Sequence, residues 1–152
     1  MRKNISILGI IIGMAMLIFH FLPWAATATK TGSAFSEGMN MLLTIPNYVS
    51  VTLALLFFIY FLLIQAKIFT NAKVIKALTI LLSILIAACA IVNIATLPNN
   101  FGTMIVGEGY SFGFGEKTSI AFGVYLLAAA ALLGIAIGFI YPGKSVTDSK
   151  NI

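Results

Sequence analysis

Four stretches of this chain read as membrane-crossing helix, and the signal is unbroken apolar continuity more than periodicity. No acidic or basic residue occurs in 4–29, 38–66, 77–107 or 118–143. Each gap exceeds the run of about 20 apolar residues that crosses a hydrocarbon core as helix. Within the gaps the most continuously apolar stretches are 5–22, 48–65, 77–97 and 120–141. None shows the polar alternation of a barrel wall, so helices are expected over strands. The pattern predicts an all-α membrane protein, a single domain over 1–152 built as a four-transmembrane-helix bundle. Outer loops 23–47 and 98–118 are expected to form a small extracytoplasmic cap.

The two outer loops differ in character. The first opens with Pro23-Trp24 and a polar Thr/Ala/Lys/Gly stretch, then offers Phe35, Met39 and Leu42 at i, i+4, i+7. That spacing fits a short amphipathic helix ended by Thr44-Ile45-Pro46, with an irregular loop as the alternative. The second carries Gly102, Gly107, Gly109, Gly113 and Gly115, interleaved with Phe101, Tyr110, Phe112 and Phe114. Thr103–Val106 reads as a strand, Gly107-Glu108-Gly109 as a turn and Tyr110–Phe112 as the return of a β-hairpin. Phe101, Tyr110, Phe112, Phe114 and Trp24 are therefore the candidate partner surface, against the plainer possibility that they only seal the helices.

Charge orients the bundle. Arg2, Lys3, Lys67, Lys73, Lys76, Lys144 and Lys150 fall on one side of the predicted spans, Lys30 and Lys117 on the other. By the positive-inside rule both termini and the middle loop are expected in the cytoplasm of a multi-pass plasma-membrane protein. The net charge of +5 is thus a topology signal; no basic cluster with a folded reader points to nucleic acid. Composition agrees, since 61% of residues are apolar and 9% charged, against roughly 25% charged in a soluble domain. Met1-Arg2-Lys3, an apolar run and Ala26-Thr27-Ala28 also fit a secretory signal peptide. The run 5–22 is longer than the usual h-region of about 7–15 residues, and Phe19, Phe21, Pro23 and Trp24 look like a helix end held at the interface. A retained helix is expected.

Small residues mark the packing faces. Gly9 and Gly13 on the first span, and Ala130, Gly134 and Gly138 on the fourth, allow close helix approach. Packing inside one chain is the simpler use; a homo-oligomer interface is the sharper one. Asn93 is a possible intramembrane polar contact, expected to hydrogen-bond a neighbouring helix. No Asp, Glu, Lys or Arg lies within the apolar spans, which argues against a proton- or ion-coupled exporter.

Little chemistry remains. His20, the only histidine, lacks partners for a metal site and is expected to reach water at the outer interface. Cys89, the only cysteine, has no intrachain partner, so paired-thiol redox chemistry is excluded. Glu37, Glu108 and Glu116 are the only carboxylates of the outer loops; no activated nucleophile accompanies them, and an enzyme is disfavoured. No cofactor is implied.

Leu22-Pro23-Trp24 after the first span, and Gly113-Phe114-Gly115 ahead of Ile120-Ala121-Phe122-Gly123-Val124-Tyr125, resemble a diffuse group of small four-helix membrane proteins of Gram-positive bacteria. The likeness covers the layout and two short motifs and carries no functional residue with it. A fainter similarity to claudin-like four-span proteins lacks the paired outer cysteines. The expectation is a non-enzymatic accessory or interaction protein, a modulator or immunity-type protein. It would act through helix packing and outer loops on the lipid bilayer and on a membrane-protein partner or a second copy. The competing class is a small oligomeric conduit or a lipid-binding protein.

Overall fold

The computed structural model describes residues 2–26, 31–36, 43–97 and 119–142. Four helices run through them: α1 (Arg2–Phe19), α2 (Asn47–Gln65), α3 (Ala72–Thr96) and α4 (Phe122–Ile140). Three short strands sit at one end, β1 (Pro23–Ala26), β2 (Thr31–Ser33) and β3 (Ser119–Ile120). The helices alternate in direction and form a ring in which each packs on its neighbours in sequence, with α1 against α4 closing it. One end carries the sheet and is called the cap end; the other carries the α2–α3 turn with its three lysines.

Prolines and caps set the helix limits. Asn71 starts α3, its side-chain oxygen accepting from the backbone N–H of Lys73 and Val74 at 3.1 and 3.4 Å. Pro98, with no N–H to extend the ladder, follows closely on the end of α3. Tyr141, ahead of Pro142, turns extended (φ −58°, ψ 123°) and stops α4. At the end of α2 the N–H of Ile68 bonds the Leu63 carbonyl and that of Lys67 the Ile64 carbonyl, with Lys67 left-handed at φ 61°. That is a Schellman turn with lysine where glycine is usual.

Small and polar residues mark the inward faces of α1, α3 and α4, whereas α2 turns Phe57, Tyr60 and Phe61 inward to meet them. Ser6, Gly9, Ile12, Gly13 and Met16 face inward on α1, while Ile7, Leu8, Ile11, Met14 and Ile18 face out. On α3 the buried line runs Thr79, Ser83, Ile86, Ala87, Ala90, Asn93, and Leu81, Ile84, Leu85 and Ile91 are exposed. A globule whose polar side chains are buried and whose large aliphatics are exposed reverses the arrangement that water selects. Helices α2, α3 and α4 are each long and apolar enough to cross a membrane; the apolar stretch Asn4–Phe19 of α1 is shorter.

The small residues read as packing faces are filled within the chain. A Cβ on Gly9 would meet the Phe61 ring, and one on Gly13 would lie 2.9 Å from Phe58 Cα. Gly134 lies against Ser83, and Gly138 would bring a Cβ to 2.5 Å from Ile80 Cγ1. Ala130 is buried on the same face of α4. At the lysine end the Ser6 hydroxyl also donates to Gln65 Oε1, joining α1 to α2.

Several boundaries depart from expectation. The first apolar run turns at His20 instead of continuing to residue 22, because Pro23 begins a strand. The opening of the first loop is sheet, not irregular coil: β1 pairs antiparallel with both β2 and β3, in the order β2-β1-β3. Ile120 belongs to that sheet and α4 starts at Phe122. Met39 and Leu42 of the expected amphipathic helix lie outside the described residues. So do Phe101, Tyr110, Phe112 and Phe114 of the expected hairpin.

A candidate functional site beneath the cap

Polar groups concentrate where the four helices meet the sheet. His20 follows the last residue of α1 and is fully buried. Its Nδ1 lies 2.7 Å from the Met16 carbonyl, which can only accept, so Nδ1 carries the proton. Nε2 lies 2.9 Å from Ser50 Oγ on α2. The Ser50 hydroxyl has one proton and two acceptors in reach, Nε2 of neutral His20 and the Asn47 carbonyl at 3.0 Å. The Asn47 amide in turn donates to the Ala34 carbonyl, and the Ala34 N–H donates back to the His20 carbonyl at 3.2 Å. The circuit ties α1, the start of α2 and the turn after β2 to one another. Water is not required to satisfy His20, which corrects its expected place at the interface.

Trp24 closes the circuit from above. It is fully buried, its ring 5.3 Å from that of His20, and its Nε1–H donates to the Phe19 carbonyl at 3.0 Å. That bond satisfies one of the free carbonyls at the C-terminus of α1. The Trp24 carbonyl accepts from Ala121 N–H at 2.9 Å, just ahead of α4. Gly123 permits this closeness, since a Cβ there would stand 2.6 Å from the Pro23 carbonyl oxygen. Trp24 is therefore a keystone between α1, the sheet and α4, and it leaves the candidate partner surface. Pro-Trp after an apolar run is also the pattern of an interfacial anchor, so residue order alone points to a partner surface here.

A second clamp lies across the cap end. Asn93 of α3 accepts from the Ile45 N–H through Oδ1 and donates to the Ile45 carbonyl through Nδ2, both at 3.0 Å. The amide thus acts as a one-residue strand partner to the segment leading into α2. Its partner is loop backbone, not the neighbouring helix expected from sequence. One turn later Thr96 donates to the Val92 carbonyl and accepts from Thr44 at 2.6 Å. Asn47, Ser50 and Thr44 were not singled out from sequence as site residues. The available signal was Asn47 and Ser50 three apart directly after Pro46, on one face of the first helical turn.

The cap presents apolar surface outward. Ser33 and Ser36 fold the chain after β2: Ser33 N–H donates to Ser36 Oγ at 2.8 Å and Ser36 N–H to the Ser33 carbonyl at 3.0 Å. This turn sets Phe35 against Phe21, ring centroids 4.7 Å apart. Phe35 and Phe21 remain 46% and 70% exposed, their rings tilted by 35° to each other.

The His20–Ser50 separation is that of a base and a nucleophile, with the Met16 carbonyl in the place of an orienting group. Both side chains are fully buried, with the Trp24 and Phe35 rings against His20. No group of three or more His, Cys, Asp or Glu that could hold a metal occurs among the described residues. Cys89 is buried on α3.

No protein-family model, curated protein or solved structure matches this chain.

Proposed function

We propose that the chain is a four-span plasma-membrane protein with both termini in the cytoplasm, resembling small four-helix proteins of Gram-positive bacteria. On this reading it is a non-enzymatic accessory protein that presents a braced outer cap to a membrane-protein partner. The apolar outward face of α1, from Ile7 to Ile18, favours its crossing beside the three longer helices. The observation that carries the function is the contrast within the cap: His20, Asn47, Ser50 and Asn93 bond the chain's own atoms, while Phe21 and Phe35 stand exposed together. Groups engaged in bracing are not free for turnover, and a rigid aromatic pair gives contact area with little ordering cost on binding.

Capture of the tagged full chain from native membranes in mild detergent, with mass spectrometry and size analysis, tests this. A stoichiometric membrane-protein partner is expected, lost from the double variant Phe21→Ala, Phe35→Ala. The triple variant Tyr110→Ala, Phe112→Ala, Phe114→Ala asks the same of the second outer loop. Recovery only as a homo-oligomer carrying lipid overturns the accessory reading.

One observation favours the conduit alternative. Ser83 Oγ is buried with no hydrogen-bond partner among the described residues, as a group along a wet path would be. Against it, Ser83 is closed over by Gly134 on α4.

A further inference from the structure

The end of the bundle opposite the cap is built differently. Residues 66–71 join α2 to α3 and are all exposed. The turn is well defined, with its Schellman bonds on one side and the Asn71 cap on the other. It holds Ile68 outward at 66% exposure, and Phe69 beside it stands 5.5 Å from the Tyr60 ring. Lys67 precedes this apolar pair, and Lys73 and Lys76 follow on one face of the first turns of α3. Lys76 Nζ lies 5.6 Å from the centre of the Phe139 ring on α4, itself largely exposed. All four acidic residues of the chain, Glu37, Glu108, Glu116 and Asp148, fall outside the described residues. The segment 38–107, which carries these lysines, contains no acidic residue.

Three lysines that flank an exposed Ile-Phe pair along the chain give this end two demands. The apolar pair gains by entering hydrocarbon or the headgroup boundary, and long lysine stems allow the ammonium groups to stay at the aqueous level while their methylenes are covered. At that level the complementary charge is a phosphate. We propose that the α2–α3 turn is a binding site for the phosphate headgroup of acidic membrane lipid, with Lys67, Lys73 and Lys76 as its cations and Ile68 and Phe69 as the apolar floor. The inference rests on the reading that α2 and α3 span a membrane. The helix N-terminus adds little, because Asn71 already occupies the N–H groups of Lys73 and Val74. Selectivity for an anion comes from the lysines, and for a lipid over a free phosphate from Ile68 and Phe69.

The test uses the full chain in mild detergent with equimolar phosphatidylglycerol and phosphatidylcholine, the lipids retained being counted by native mass spectrometry. Preferential retention of phosphatidylglycerol is expected. Lys67→Gln, at an exposed turn where refolding is not at issue, should lower the preference about fivefold, which is the roughly 1 kcal/mol per basic residue near an anionic surface. Lys67→Arg should keep it. Equal retention of the two lipids, or no change in Lys67→Gln and in the triple variant Lys67→Gln, Lys73→Gln, Lys76→Gln, overturns the proposal. Release of the lipid by excess inorganic phosphate also overturns it, because the site then takes a soluble anion. Alkaline carbonate extraction separates the two levels of failure. A chain stripped from membranes removes the spanning reading and this inference together, whereas a chain retained without lipid preference removes only the inference.

Discussion

The two ends of the bundle are held by different means. At the cap end, side chains seek out peptide groups: Asn93 takes both polar atoms of Ile45, His20 takes the Met16 carbonyl, Trp24 the Phe19 carbonyl and Asn47 the Ala34 carbonyl. Toward the lysine end the helices approach where side chain is missing, with Gly9 against Phe61, Gly13 against Phe58 and Gly138 against Ile80. The difference follows from what each end must join. Irregular backbone at the cap end carries N–H and C=O groups that a helix would have satisfied internally, and burying them unpaired costs about 1–3 kcal/mol each. Between regular helices no such groups are free, so attraction comes from close surfaces, which small residues allow to approach further. Amides and an imidazole serve mainly the first problem and glycine mainly the second, although Gly123 also sits close at the cap and Ser6 also bonds Gln65 at the lysine end.

Gly13→Leu should produce the largest effect. Its first side-chain carbon already lies 2.9 Å from Phe58 Cα, which is backbone and cannot swing aside, and three more carbons must follow. A loss of more than about 3 kcal/mol is expected, at the severe end of overpacking, read as loss of the folded fraction in a detergent–denaturant titration. Wild-type stability in Gly13→Leu would mean that α1 and α2 are not seated on each other as described.

Asn93→Leu keeps the size and strips the cap end of its clamp. The N–H and carbonyl of Ile45 lose both partners, and a loss of about 2–3 kcal/mol is expected from two groups left unpaired. Hydrogen exchange localises it: the Ile45 amide should lose protection while amides near Gly13 do not. If Gly13 amides open equally, the two ends are one cooperative unit and the contrast between them is false.

Much of this was legible from residue order, and the failures have a common cause. Uncharged gaps gave the helices, and GxxxG spacing gave the surfaces of close approach, because both are local properties. The inward faces were not visible as periodicity, since both sides of every helix are apolar: Gly13 and Ala130 face inward on α1 and α4 with Ile11 and Leu132 outward, while α2 turns Phe57 and Phe61 inward. Asn93 stood out as polar, but its partner lies 48 positions away in a loop with no signature. The burial of Trp24 is hidden from residue order for the same reason. What buries it is the pairing of β1 with β3, whose side-chain bond from Ser119 to the Ala26 carbonyl spans 93 positions. Phe21 and Phe35 become a pair only once the Ser33–Ser36 turn is known.

The smallest effect is also the one whose sign is most informative. Ser83 is fully buried at the α3–α4 contact, its Oγ lacks a hydrogen-bond partner among the described residues, and it rests on Gly134. If helices at this depth are held by closeness alone, the hydroxyl contributes no bond and carries an unpaid desolvation cost, offset by the contacts its oxygen makes with the facing helix. Ser83→Ala should then change stability by no more than about 1 kcal/mol and on the stabilising side, the gain from removing an unsatisfied hydroxyl being only partly cancelled by the small void left. A melting experiment in the detergent used for Gly13→Leu measures it against the same reference. A loss above about 1 kcal/mol would mean that Ser83 makes a bond in the native bilayer, through water or a neighbouring carbonyl. Hydrogen bonding would then run the length of α3, and the conduit reading would gain the polar line it lacks.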